Sequence, residues 1–175
     1  MVRDREATKA KLLAAALTEF AAHGIAGARV DRIAAGAGCN KAMIYAYFGS
    51  KEDLFEEVLK IQIAAVVEAV PITPDDLPGY AGRLFETYAR QPELLSLAGY
   101  HRLENGFEAI SRAEGEAHVA KVAAIAEAQE RGVLPGEFGA EELLALTVHM
   151  SILAFSTPVA SRELVERAVA KLIAG

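Results

Sequence analysis

The stretch ARVDRIAAGAGCNKAMIYAYFGSK, residues 28–51, decides the fold. Two short apolar-periodic runs flank Gly38-Cys39-Asn40, and Gly49-Ser50 marks a second turn before another helix. This is the pattern of a helix-turn-helix, whose second short helix enters the major groove of DNA. The first run, 30–37, offers Ile33 and Ala34 as its buried face, and small Ala34 and Ala37 let the next helix cross closely. Gly36 inside it costs about 1 kcal/mol relative to Ala, so tertiary packing must hold that helix. Gly38 suits a positive-φ turn position, and Asn40 is a good N-cap for the second run, 41–48. That run is too short to be stable alone. Ile44 and Phe48, one turn apart, anchor it, which leaves Lys41, Ala42, Met43, Tyr45 and Tyr47 to project outward. Two tyrosines on an exposed face make sense if their hydroxyls donate to phosphate oxygens while their rings lie along the groove wall.

Outward from this stretch, residues 5–23 predict a helix with Leu13, Ala16, Leu17 and Phe20 on one stripe. Gly24 is expected as its left-handed C-terminal cap, with Ile25 folding back on the last turn. Downstream, Ser50 caps the fourth helix in a weak form of the capping box with Asp53. Lys51 stands at the start of that helix, where a cation opposes the macrodipole. A charge kept against that preference suggests a nearby anion, and a DNA phosphate would serve.

The fourth helix runs to about residue 70, and PITPDDLPG at 71–79 breaks the chain. Further helices are predicted over 76–90, 92–104, 109–131, 140–156 and from 161 onward, with a second break at 132–136. The helix at 140–156 is apolar on nearly all sides, so it should be buried or in an interface. The last helix carries a wide strip of Leu164, Val165, Ala168, Val169, Leu172 and Ile173, and the apolar surface of these last two helices is too wide for one small domain to bury alone. The class is therefore all-α, with about nine helices and no alternating run of strand length. We place a domain boundary inside the fourth helix, giving 6–66 and 67–175, with the reading head at about 29–48.

Charge separates the same two parts. The chain carries a net −6, yet residues 1–51 hold eight Lys/Arg against four Asp/Glu, a net of +4, which leaves −10 for the rest. A basic head on an acidic body suits a protein that touches phosphate at one end only. The single cysteine, Cys39, excludes an internal disulfide and argues against a Cys-based metal site. The charged start does not read as a secretory signal. The longest apolar run, 143–155, falls short of the roughly 20 residues a membrane span needs, so a cytoplasmic protein without a membrane partner is expected. Catalytic motifs are missing: no HExxH, P-loop, GxGxxG or GxSxG occurs. His101 and Glu104 share a helical face, but one such pair does not make a metal site. No enzyme activity, metal or cofactor is expected.

Residues 12–59, LLAAALTEFAAHGIAGARVDRIAAGAGCNKAMIYAYFGSKEDLFEEVL, resemble the tetracycline-repressor (TetR) family of bacterial regulators. Five landmarks carry the resemblance: Phe20 to Gly24 as F-x-x-x-G, Ile33-Ala34, Ala37-Gly38, IYAYF from Ile44 to Phe48, and SKEDL from Ser50 to Leu54. The resemblance implies a homodimer joined by the last two helices, through Leu164, Val165, Ala168, Val169 and Leu172. It implies double-stranded, palindromic operator DNA as partner. Arg29, Asn40, Lys41, Ala42, Met43, Tyr45, Tyr47 and Lys51 would then form the DNA-facing set. It also implies an effector pocket in the second domain, where Tyr88, Tyr100, His101, Phe107, His118 and His149 are the candidate lining residues, together with Tyr80, Phe85 and Met150. Arg29, Cys39, Asn40, Ala42 and Met43 depart from the usual family residues, so the operator sequence is not readable. The function expected is a sequence-specific DNA-binding repressor released by a small-molecule effector. The alternative is a helical dimer that binds a small molecule or protein without a DNA role.

Overall fold

The computed structural model describes residues 2–105, 108–153 and 157–174. Every regular element among them is helical: α1 (Val2–Gly27), α2 (Val30–Ala37), α3 (Lys41–Phe48), α4 (Lys51–Ala69), a 3-10 turn (Pro74–Asp76), α5 (Leu77–Arg90), α6 (Pro92–Asn105), α7 (Glu108–Glu130), α8 (Ala140–Leu153) and α9 (Arg162–Leu172). The all-α class follows from the sequence pattern, and local signals set the helix ends. Asn40 accepts from the Ala42 N–H, Asp76 from Gly79 and Ser161 from Leu164, so each side chain satisfies a donor that its helix leaves open.

The helices gather into two compact units. The first takes in residues 1–63 and 93–113, the second 64–92 and 114–175. In the first, Leu12, Ala16, Phe20, Ile33, Ile44, Leu54, Phe55 and Leu59 form a core with essentially no exposed surface. Phe20 meets Phe55 edge-on, with centroids 5.1 Å apart and planes at 85°, an arrangement worth about 0.5–1.5 kcal/mol beyond the area buried. Ile44 is the one side chain of α3 buried completely, so this eight-residue helix depends on its neighbours.

Gly24 behaves differently from the expected helix terminator. It sits inside a helix that resumes for one more turn, with φ 65° and ψ −179°, a combination that glycine alone adopts without strain. A Cβ there would lie 3.1 Å from the Tyr100 ring. The kink turns Ile25 into the core, as expected of that residue.

In the second unit, α5 packs against α8 and α9, and its Leu77, Tyr80, Ala81 and Leu84 are buried. Gly82 leaves room for the Glu166 side chain. Thr147 and Ser151, which interrupt the apolar run of α8, are fully buried. Their hydroxyls donate to backbone carbonyls, Thr147 to Leu143 at 2.7 Å and Ser151 to Ala81 at 3.0 Å, so burial leaves neither without a partner. Arg162 bridges Glu86 and Glu166 at 2.9 and 2.6 Å.

The strip on α9 needs correcting. Val165 and Val169 are 3% and 0% exposed within their own chain, so they belong to this unit's core and have no surface to give an interface. Leu164, Ala168 and Leu172 remain half-exposed. On α8, Leu143 and Leu144 turn inward, while Ala145 and His149 are exposed and Val148 and Ile152 half-buried, which forms an outer stripe.

Candidate nucleic-acid interface

The reading head is fixed by interactions that reach across the turns. Helix α2 begins at Arg29, which has extended backbone and no side-chain cap of its own. Glu19 of α1 supplies the cap: its Oε1 accepts the Arg29 N–H at 2.9 Å and the Arg32 Nε–H at 2.8 Å. Arg32 also donates to the Gly27 carbonyl at 3.1 Å. The bond from Arg32 holds the Glu19 carboxyl below its ordinary range, against the opposing effect of burial and with help from the Arg29 N–H. Glu19 lies off the apolar stripe of α1. No local spacing points to its partners, which lie ten and thirteen residues away.

At the turn, Gly38 takes φ 65° and returns its N–H to the end of α2, as its position there requires. Asn40 then caps α3 at 2.9 Å. Along α3, Lys41, Ala42 and Tyr45 are exposed, Tyr45 by 47%, and Met43 is half-buried. Phe48 is half-buried under the Lys9 ammonium, 5.9 Å from its ring centroid.

Two of the expected phosphate contacts have internal partners. The Tyr47 hydroxyl donates to the Arg5 carbonyl at 3.2 Å, with the Arg5 guanidinium 5.5 Å over its ring. The Lys51 ammonium donates to the Ile25 carbonyl at 2.7 Å. The carbonyl end of α1 thus offers Lys51 a partial negative charge that offsets its place at the start of α4. Lys41 is also paired, with Asp31 Oδ1 and Oδ2 at 3.0 and 3.1 Å, and that bond raises its pKa. Arg29 is exposed, and its guanidinium makes no hydrogen bond or ion pair among the described residues. The cations of the head therefore differ in availability, which composition could not reveal.

The expected effector residues are divided between the two units. Tyr100 and His101 lie in the first unit. Tyr100 lies against Gly24. His101, 2% exposed, stacks on Phe55 at 5.9 Å and bonds Glu56 through Nε2 at 2.8 Å, while its buried Nδ1 has no partner among the described residues. In the second unit Tyr88 is buried, His118 stands 3.6 Å from Glu141, and the exposed His149 donates from Nδ1 to the Ala145 carbonyl of its own helix. Phe107 lies outside the described residues. A cleft of about 240 Å³ in the first unit is lined by Leu13, Ala14, Leu17, Val58, Ile61 and Gln62, none of them in the expected set. Cys39 is half-buried, with its thiol on the Ala37 carbonyl.

Comparison with known proteins agrees with this architecture. Residues 12–58 match the family described as bacterial regulatory proteins, tetR family, and residues 76–172 match the tetracyclin repressor-like C-terminal domain. The chain is 47% identical over 165 residues to the HTH-type transcriptional repressor SCO4008 of Streptomyces coelicolor, covering 93% of this chain and 86% of that one. It is 35% identical over 109 residues to the HTH-type transcriptional repressor NicS of Pseudomonas putida, covering 58% and 51%. Among solved structures it resembles SCO4942 of Streptomyces coelicolor, assigned as a transcriptional regulator, with a TM-score of 0.83, 34% identity, and coverage of 95% and 98%. The chain belongs to the TetR family of bacterial regulatory proteins.

Proposed function

We infer that this protein is a DNA-binding transcriptional repressor, a regulator rather than an enzyme, that works in the cytoplasm as a homodimer. The observation that carries this reading is α3 itself. A capped eight-residue helix is held by Ile44 and turns Lys41, Ala42 and Tyr45 to solvent, beside Arg29, whose guanidinium has no partner among the described residues. The relatives' names as HTH-type repressors support it. Residues 6–66 bind DNA, and 67–175 serve dimerisation and effector binding. Arg29, Lys41, Ala42, Met43 and Tyr45 face the DNA, with Asn40 fixing the start of the helix. Tyr47 and Lys51 act chiefly by holding the head together. Leu164, Ala168 and Leu172 of α9, with the outer stripe of α8, meet a second copy. The dimer then sets two heads about 34–36 Å apart on a palindromic operator. A small-molecule effector that favours a different spacing releases it, and operator must weaken effector binding by the same factor.

Selection of duplexes from a random library, followed by mobility-shift titration, tests the reading. Palindromic duplexes should be enriched, and Arg29→Ala should weaken binding while reducing the salt slope by about 0.9 if Arg29 meets a phosphate. Failure to enrich any sequence would remove the DNA role.

A further inference from the structure

We propose that Asp31 is a specificity-determining residue of the DNA interface: its carboxylate holds the Lys41 ammonium at the start of α3, withholding that charge from unmatched DNA and orienting it on the operator. The proposal rests on the DNA-binding reading above.

Asp31 lies in the first turn of α2, and Lys41 is the first residue of α3. Both carboxylate oxygens lie within 3.1 Å of the ammonium. The carboxylate is 74% exposed and the lysine side chain 47%, so the pair lies open to whatever approaches the head. Exposed pairs add little to folding, and the pair's main consequence falls on an arriving ligand. The N-terminal residues of a reading helix are those that meet base edges, so a carboxylate bonded to Lys41 stands where the negatively charged duplex approaches. The neighbouring cations give the contrast. Arg32 is held by Glu19 and Lys51 by the Ile25 carbonyl, while the Arg29 guanidinium has no partner among the described residues.

Unmatched DNA is bound by phosphate neutralisation alone. To use Lys41 it must take the ammonium from Asp31 and approach the carboxylate, so each such complex is weakened. On a matched operator the ammonium keeps Asp31 as one partner and offers its other N–H donors to the DNA. There the pair has already restricted a flexible side chain, which lowers the ordering cost of binding. The repulsion acts on both kinds of DNA, and the orienting gain on the operator alone.

The test compares the full-length protein with Asp31→Asn on two duplexes, between about 50 and 200 mM salt. One is the sequence the parent protein enriches from a random library, and the other a scramble of the same composition. For the scramble, affinity should rise about threefold and the salt slope steepen by about 0.9. Affinity for the enriched duplex should change by less than about twofold, because lost orientation offsets lost repulsion. In a Lys41→Gln background, Asp31→Asn should leave the ratio between the two duplexes unaltered. An equal rise on both duplexes would reduce Asp31 to a source of simple repulsion and overturn the proposal. No change on either duplex, or the same change without Lys41, would overturn it equally. A parent protein that enriches no sequence would instead remove the underlying DNA reading.

Discussion

Replacing Glu19 by Gln isolates the tie that starts α2. The glutamine carbonyl can still accept the Arg29 N–H, which Glu19 accepts at 2.9 Å. It can likewise keep the Arg32 Nε–H, but without the charge, while its amide NH2 takes the place of Oε2 and turns a donor toward that same Nε–H. A hydrogen bond to a charged group contributes about 1.5–3 kcal/mol. The Arg32 side chain is 44% exposed and Glu19 10%, so screening reduces the expected loss to about 1–2 kcal/mol. With a slope of about 2 kcal/mol per molar urea, the unfolding midpoint should fall by roughly 0.5–1 M. Parent and variant are compared at one protein concentration, since dimerisation contributes to stability. The sign with pH follows from the lowered carboxyl. The contribution is fully present above the ordinary value of 4.5 and is lost as pH falls through the lower folded value. The gap between the two proteins should therefore be constant around neutrality and close in acid. A gap that persists unchanged well below the folded value would show that packing, and not the ionised carboxylate, holds the start of α2.

Two further outcomes follow from how deeply particular groups are buried. His101→Phe should cost less than about 1 kcal/mol, because the ring keeps its place on Phe55 and removes a buried nitrogen without a partner among the described residues, whereas His101→Ala should cost about 2–4 kcal/mol through the cavity left behind; urea unfolding separates them, and equal losses would assign the stability to the Glu56 bond. Leu164→Glu combined with Leu172→Glu should give folded monomers by sedimentation, while Val169→Glu should unfold the second unit by burying a charge; a dimer surviving the first pair of changes would move the interface away from α9.

What could be read in advance divides by distance along the chain. The bounds of α2 and α3 agree with the structure at every residue, because turn glycine, cap and apolar spacing are all local. The buried Ile44 was legible for the same reason. Gly24 was recognised as special, but its ψ of −179° and its fit against Tyr100 depend on α6, more than seventy residues on. Lys51 was recognised as electrostatically misplaced. Its partner, the Ile25 carbonyl, is a backbone atom with no sequence signature. On α9 the strip is visible, but periodicity does not divide it into the part that meets α5 and the part left outside. Tyr100 and His101 were grouped with the second unit because the chain order places them there, while packing puts α6 with the first.

The dependence of α3 on its surroundings has a consequence for how such a head changes over evolutionary time. Its position is set by Ile44, by Asn40 at its entry and by Gly49 at its exit, where the Gly49 N–H closes on Tyr45. Lys41, Ala42, Tyr45 and Ala46 stand exposed and carry none of the core packing. Substitutions at these surface positions can therefore change what the head presents to a partner while leaving intact the packing that holds it in place.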